Sequence, residues 1–400
     1  MKKMIGCGFA VMAAVTVLAP LAQGAGFGIY EGSARGDALG GTLVGRADDP
    51  SAIYYNPAGI TQLPGDQLMA GVTLISPMTD VTIGGVKTSA VRDWWYPPHA
   101  YYTHDFNDTV WAGLGVFSRF GLGTEFPQDW PGRYNSYYAT IQSVTINPNV
   151  AFKVTDKLSL AAGFDATYLD IDLKRMLRFN GMDVPMELKG DAWGYGFNLS
   201  ARYEITDAIA LGFSYVSKVR ENIDGTVTAG PGSTGASGQI QLPQEASVAL
   251  TLKPMDKLSV EFGVTMTGWK SYDSFDVKFD NPAVLGTAES NTPKNWNNAF
   301  RYQAGVEYQA TKALVLRCGY VYDEEPIPLQ TADYLVPTND RHLFSAGFGY
   351  RWNSWVLDLS YTYLLILDRH IPARPAEGVL DSEITGGNAQ MIGISLSTKL

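Results

Sequence analysis

Side chains able to do chemistry are sparse in this chain and poorly spaced for it. His99, His104, His342 and His370 stand without a Ser or carboxylate partner at any recognisable spacing, and no Gly-x-Ser-x-Gly occurs. A nucleophilic enzyme needs an oriented base beside its nucleophile. No motif supplies one, so no catalytic residue is assigned. Asp48-Asp49 offers two carboxylates, too few for a calcium site, and capping of local turns suits them better. Four His and two Cys leave little room for a metal cluster or a disulfide framework, and neither metal nor cofactor is expected. Arg35-Gly36-Asp37 is a chance tripeptide. The formal net charge of -10 argues against a nucleic-acid partner, which requires a basic face.

The first residues have a different task. Lys2 and Lys3 precede an almost wholly apolar or small stretch from Met4 to Ala22, closed by Pro20 and small residues. This is the pattern of a secretory signal peptide over 1–24, with cleavage after Gly24. Cys7 would leave with it. The mature chain would then hold one cysteine, Cys318, and no internal disulfide.

The elements that must position any site are strands. No apolar run after residue 24 reaches the roughly 18–20 residues of a spanning helix. Two-residue alternation recurs instead. Trp193, Tyr195, Phe197, Leu199, Ala201 and Tyr203 alternate with Gly194, Gly196, Asn198, Ser200 and Arg202, and Trp355 to Tyr363 repeats the pattern. Short polar connections, such as Val154–Lys157 and Glu204–Asp207, return about every fifty residues. Longer segments lie between them: Pro77–Tyr96, Gly121–Asn135, Arg175–Pro185, Gly225–Gly238, Ser274–Asn291, Asp323–Asn339 and Asp368–Gly386. Aromatics toward the strand ends, with short turns on one side and long loops on the other, define a transmembrane barrel.

The fold expected is therefore all-β: a transmembrane antiparallel β-barrel of about 14 strands. It would span 66–400 and hold residues 25–65, Gly-rich and without sustained alternation, as an N-terminal hatch in the lumen. A barrel this wide is not filled by its own side chains.

Within that frame, alternation turns Arg301, Arg317 and Arg341 inward, along with Glu307, Asp165 and Asp358. Salt bridges bracing the barrel would account for all of them. Gly113 and Gly115 fall on the third strand, where glycine marks a bend, a bulge or a close backbone approach. Phe117 faces the lumen if Ala112, Leu114 and Val116 face lipid. Phe120 follows it. Phe126 and Trp130 lie in an external loop, where apolar aromatics need a reason to be exposed. Asn56-Pro57-Ala58 reads locally as a turn.

Two stretches carry a family resemblance. One runs from Ala25-Gly26-Phe27 to Asp48-Asp49 and Asn56-Pro57-Ala58-Gly59. The other runs from Trp111-Ala112-Gly113-Leu114-Gly115 through Trp130-Pro131-Gly132-Arg133-Tyr134 to Asn147-Pro148. Together they resemble the FadL family of long-chain fatty acid transporters, which includes the aromatic-hydrocarbon channels. The resemblance implies a monomer in outer-membrane lipid, taking up hydrophobic small molecules passively. Substrate would pass Phe27 in an internal pocket and leave sideways at an inward kink of strand three, beside Asn56, Pro57 and Ala58. Phe27, Phe117, Phe120, Phe126 and Trp130 would line its path. A fatty-acid carboxylate would want one of Arg301, Arg317 or Arg341, whereas an uncharged hydrocarbon would need none. A lipid- or peptide-hydrolysing barrel and a purely structural or adhesive one are the alternatives. The first lacks a catalytic motif. The second has no use for a hatch.

Overall fold

The computed structural model describes residues 26–400. The segment read as a signal peptide, 1–24, lies outside the described residues. The chain forms a closed antiparallel barrel of fourteen strands around its own N-terminal segment.

The first half of the wall is β1 (Gln67–Ile83), β2 (Pro98–Asn107), β3 (Val110–Phe117, resuming as Gly121–Glu125), β4 (Tyr138–Lys153), β5 (Leu158–Phe179), β6 (Met182–Thr206) and β7 (Ile209–Val216, then Val219–Ala229). The second half is β8 (Gly232–Leu242, then Glu245–Met255), β9 (Leu258–Thr267, then Ser274–Phe279), β10 (Glu289–Pro293, then Ala299–Gln309), β11 (Leu314–Asp323), β12 (Arg341–Trp352), β13 (Trp355–Ile366) and β14 (Ser382–Lys399). β14 pairs with β1 from Gln67↔Lys399 to Ile83↔Ser382. That pairing removes both sheet edges and satisfies the backbone in lipid.

Side-chain alternation sorts the two faces. Leu114, Ile146, Phe197, Phe213, Phe262, Leu316, Phe344 and Ile394 are exposed on the outer surface. Thr103, Asn147, Ser200, Thr265, Ser360 and Ser395 are buried on the inner one. An apolar outer band over a polar interior is what a bilayer demands of a barrel.

The short connections sit where alternation breaks. β4–β5, β6–β7 and β12–β13 join through Val154–Lys157, Asp207–Ala208 and Asn353–Ser354. The opposite end differs from expectation. Arg175–Pro185 and Gly225–Gly238 are not long loops but hairpins whose strands continue past the wall. Their turns are Asn180-Gly181 and Gly230-Pro231, with φ of 50° and 80° at the first pair and 55° at Gly230. Asn-Gly is the two-residue hairpin signal, because both residues tolerate positive φ.

The lumen holds the hatch, residues 26–66. It contains α1 (Ala34–Ala38), α2 (Ala52–Tyr55) and a 3-10 turn over Pro57–Gln62. Helices this short do not persist in isolation, so packing against the wall holds them. Ser33 caps α1 by accepting from Gly36 N–H at 3.1 Å. Leu39, Leu43, Ile53, Tyr54, Tyr55, Ile60, Tyr101 and Phe117 form one buried cluster between hatch and wall. Polar anchors add register. Glu261 on β9 accepts the backbone N–H groups of Val44, Gly45 and Arg46 at 2.9, 3.2 and 2.7 Å. Arg35 grips Asp48, Asp49 and Glu307, and Glu307 is shared with Arg317, which also holds Asp358.

Candidate functional site: a broken wall beside an internal cavity

The third strand leaves the wall partway along its length. Its lower part is paired on both sides: Gly113 faces Thr103 and Asn149, and Gly115 faces Tyr101 and Asn147. The ladder with β2 ends at His99↔Phe117. Over Ser118–Phe120 the chain turns inward and pairs with the hatch instead. Ile29 N–H donates to Arg119 O at 2.7 Å, and Gly121 N–H donates to Phe27 O at 2.9 Å. Ser143 on β4 fastens the break from behind. Its hydroxyl accepts from Phe120 N–H at 3.0 Å and donates to Phe120 O at 2.7 Å. Above the break Gly121–Glu125 pairs with β4, and no ladder joins it to β2.

On the other side β2 is prolonged upward along β1. Trp95 and Ile75 exchange backbone bonds at 2.8 and 2.7 Å, and Thr73 N–H donates to Pro97 O at 3.2 Å. Backbone groups alternate in direction along a strand. Trp95 and Pro97 point toward β1, so Tyr96 and Pro98 face the other way, toward β3. Pro98 has no N–H to offer there. The result is a slit in the wall between Trp95–Pro98 and Gly121–Thr124. It is closed below by His99↔Phe117 and above by Val91 N–H on Glu125 O at 2.8 Å.

Behind the slit is a cavity of about 730 Å³. Its lining runs from Leu343, Leu364, Ala389 and Met391 on the lumen face to Tyr96, Pro98 and Val144, which belong to the slit and the outer face. Apolar side chains at four lumen positions depart from the polar interior usual in barrels. The hatch N-terminus closes the inner end. Phe27, 3% exposed, sits among Phe120, Trp269, Tyr272 and Trp296, with ring centroids 4.7 to 6.0 Å away. Gly26 must be small: a Cβ there would stand 2.5 Å from Trp269. Phe27→Ala should lower stability by about 3–5 kcal/mol, the usual cost of deleting a buried phenyl ring. Thermal unfolding of the purified barrel measures it.

The structure distributes the expected site residues unevenly. Phe27, Phe120 and Arg341 line the cavity. Phe117 faces inward but packs on Tyr54 and Tyr101 in the hatch cluster. Phe126 and Trp130 are not exposed. They stack on each other at 4.1 Å, and Trp130 meets Tyr334 at 4.9 Å, so mutual burial explains them. Arg317 belongs to the ion-pair chain below the cavity. Arg301 stacks on the Tyr30 ring at 3.4 Å and is outside the cavity lining.

The bend is not at Gly113 and Gly115, where the ladder is intact. These glycines admit the hatch: a Cβ at either would come within 2.8 Å of Ile53. Asn56-Pro57-Ala58 anchors the hatch to β6 rather than to β3. Asn56 Nδ2 donates to Val44 O at 2.6 Å and Ala201 O at 3.0 Å, and Ala58 N–H donates to Ser200 Oγ at 2.9 Å. Four residues of the site went unremarked in the sequence: Glu31, Trp95, Gly123 and Ser143. Trp95 spans the slit, and a Cβ on Gly123 would stand 2.0 Å from its indole. Pro97-Pro98 was the available signal, since proline in a strand marks an edge.

Comparison with known proteins decides the family. The model of the outer membrane protein transport family (OMPP1/FadL/TodX) matches residues 15–399. The chain belongs to this family. A long-chain fatty acid transport protein of Escherichia coli O6:H1 is 26% identical over 89% of this chain and 90% of its own length. Among solved structures, a FadL homologue of Pseudomonas aeruginosa superposes with a TM-score of 0.83 at 19% identity, covering 94% of this chain and 99% of that one. The toluene transporter TbuX of Ralstonia pickettii gives 0.72 at 18% identity, covering 91% and 97%. These structural likenesses carry the FadL-type fold. With the barrel closed and its outer face apolar, this FadL-family chain is an outer-membrane protein.

Proposed function

We propose that this protein admits hydrophobic small molecules passively across the outer membrane and releases them sideways through the slit between β2 and β3. The cavity carries this reading. It is apolar-walled, capped by the hatch and continuous with the outer face of the barrel. A greasy solute gains nothing by passing down a polar lumen, because it must be rehydrated at the far end. A lateral exit delivers it to lipid without that cost. The named activities of the relatives, transport of long-chain fatty acids and of toluene, fall within this class.

The hatch blocks straight passage, with Glu261 and the Arg35–Glu307 pair tying it to β9 and β10. The protein works as a monomer in outer-membrane lipid on this reading, because the barrel closes within one chain and needs no second copy to complete its wall. Deleting the gene should slow growth on a hydrophobic carbon source and leave growth on sugars unchanged. Equal growth on both would remove the proposal. Purified protein should also migrate as a heat-modifiable monomer, and recovery in the soluble fraction would contradict the barrel.

A further inference from the structure

Acids cluster where the chain leaves β11 and enters β12. Asp323 ends one strand and is followed by Glu324 and Glu325, and Asp340 directly precedes the other. The connection between them lies at the extracellular end, opposite the short turns. Its second half roofs the cavity with Val336, Pro337 and Thr338. Both ends of that roof are tied into one knot. Glu324 N–H donates to Phe300 O at 3.1 Å, and its Oε2 accepts Phe300 N–H at 2.7 Å. Glu325 N–H donates to Asp340 Oδ1 at 2.9 Å, and its Oε1 accepts Ile327 N–H at 2.9 Å. Asp340 Oδ2 accepts the Tyr322 hydroxyl at 2.9 Å. Arg369 reaches Ile327 O at 2.6 Å, Thr338 O at 3.2 Å and Glu325 Oε1 at 3.4 Å.

The charges in this knot do not balance. Among the described residues, the carboxyl groups of Asp323, Glu324, Glu325 and Asp340 face the guanidinium groups of Arg341 and Arg369. Arg341 is given to Asp323, and Arg369 spends donors on two carbonyls. Asp323, Glu324 and Glu325 are buried and Asp340 is half-buried. Glu324 Oε1 and Glu325 Oε2 have no hydrogen-bond partner. Tyr302 also faces Glu324, Tyr30 of the hatch faces Arg341, and His342, engaged by the Tyr320 hydroxyl at 2.9 Å, faces Asp340. A buried carboxyl group without a counter-charge keeps its proton. Burial pushes Glu324 up to about 7 and Glu325 up to about 8, and it raises Asp340 as well.

We infer that the roof is a proton-operated latch: with Glu324 and Glu325 protonated its two ends are tied down over the cavity, and loss of those protons frees them and opens the outer entrance. This rests on the uptake reading above in taking the cavity as the substrate's, and it adds a regulation of that site. The middle of the roof is pinned separately, by Lys294 Nζ on Asp333 at 2.6 Å and by the Tyr334 hydroxyl on Ser382 at 3.0 Å. Ionisation therefore frees the ends, 324–327 and 336–340, rather than the whole loop. The sign follows from the raised carboxyls. The closed state holds protons that an open, hydrated state releases in the usual glutamate range, so closure is favoured in acid and weakens as pH rises through about 7 to 8.

The test is hydrogen exchange read by mass spectrometry on the whole barrel in detergent, at about pH 5.5 and about pH 8.5, corrected for the intrinsic chemical rate. Opening of 324–327 and 336–340 should rise at least about tenfold between the two, while 330–335 and the β5–β6 hairpin stay level. The double variant Glu324→Gln, Glu325→Gln keeps both acceptors but cannot ionise, and its ends should stay closed at both values. Ends that exchange equally at the two values, or a double variant that keeps the parent's response, overturn the latch. Association of a neutral probe, diphenylhexatriene, should accelerate over the same range in the parent alone. Ends that loosen without faster entry of the probe overturn their role as an entrance. A probe that binds at neither value counts against the uptake reading, and the latch is then decided by exchange.

Discussion

Bridging the two lips of the wall slit should stop uptake while substrate still binds. The slit runs between Trp95–Pro98 on the β2 side and Gly121–Thr124 on β3, with no ladder across it. Cysteines at Tyr96 and Leu122, joined by a short bifunctional thiol reagent, would fix its width. Cys318, the free cysteine among the described residues, is exposed and would first be replaced. Whole-cell uptake of a radiolabelled hydrophobic substrate should fall to the level of cells lacking the protein. Binding to the purified barrel should match that of the same double-cysteine variant before bridging, because Phe27 and the lumen wall are untouched. Normal uptake through the bridged barrel would mean that substrate leaves downward past the hatch. The reverse change is Trp95→Ala. The indole rests against Gly123 inside the slit, so its removal should speed uptake and admit bulkier molecules.

Removing Arg35 should unseat the hatch. Its guanidinium makes two bonds to Glu307 at 2.9 Å each, and single bonds to Asp48 and Asp49 at 2.7 and 2.9 Å. The side chain is 9% exposed, and those of Glu307 and Asp49 are 17% and 14%. Arg35→Ala leaves three carboxylates around an empty position. Breaking a buried pair from one side costs about 3–5 kcal/mol, a large share of what can hold so small a plug. Steady conductance in planar bilayers should be nearly absent from the intact protein and should appear in the variant. Arg35→Lys should restore the closed state only in part, since an ammonium cannot make the forked contact. A variant as silent as the parent would show that Glu261 and the apolar cluster seat the hatch unaided.

These two results separate what holds the wall open from what keeps the lumen shut, and the sequence disclosed the two unequally. The barrel was legible because lipid outside and polar groups inside force a two-residue period on every strand. Strand starts after short turns, at Val110 and Trp355, are where alternation places them. At the opposite end the segments expected as loops, Arg175–Pro185, Gly225–Gly238 and Asp368–Gly386, already hold the first residues of β6, β8 and β14, which begin at Met182, Gly232 and Ser382. There the strands outrun the bilayer, and outside lipid the period that marks them fades.

The site was less legible. That Phe27 begins the hatch and Phe120 follows the lower part of β3 can be read in the chain, but their meeting at 6.0 Å cannot. It depends on the hatch replacing β2 as the partner of Ser118–Phe120. In the same way, alternation turned Arg301, Arg317 and Arg341 inward but could not say which of them carboxylates already held. Glu307 and Asp358 claim Arg317 from two other strands, and Asp323 claims Arg341. Gly113 and Gly115 looked like a hinge because glycine permits bending. They serve close approach instead, a distinction set only by Ile53 arriving from the hatch. The sequence by itself determined the strands, their faces and the presence of a plug, because each follows from local periodicity and composition. Only the tertiary structure decided where the wall breaks and which charges stay free, because both depend on partners brought together from distant parts of the chain.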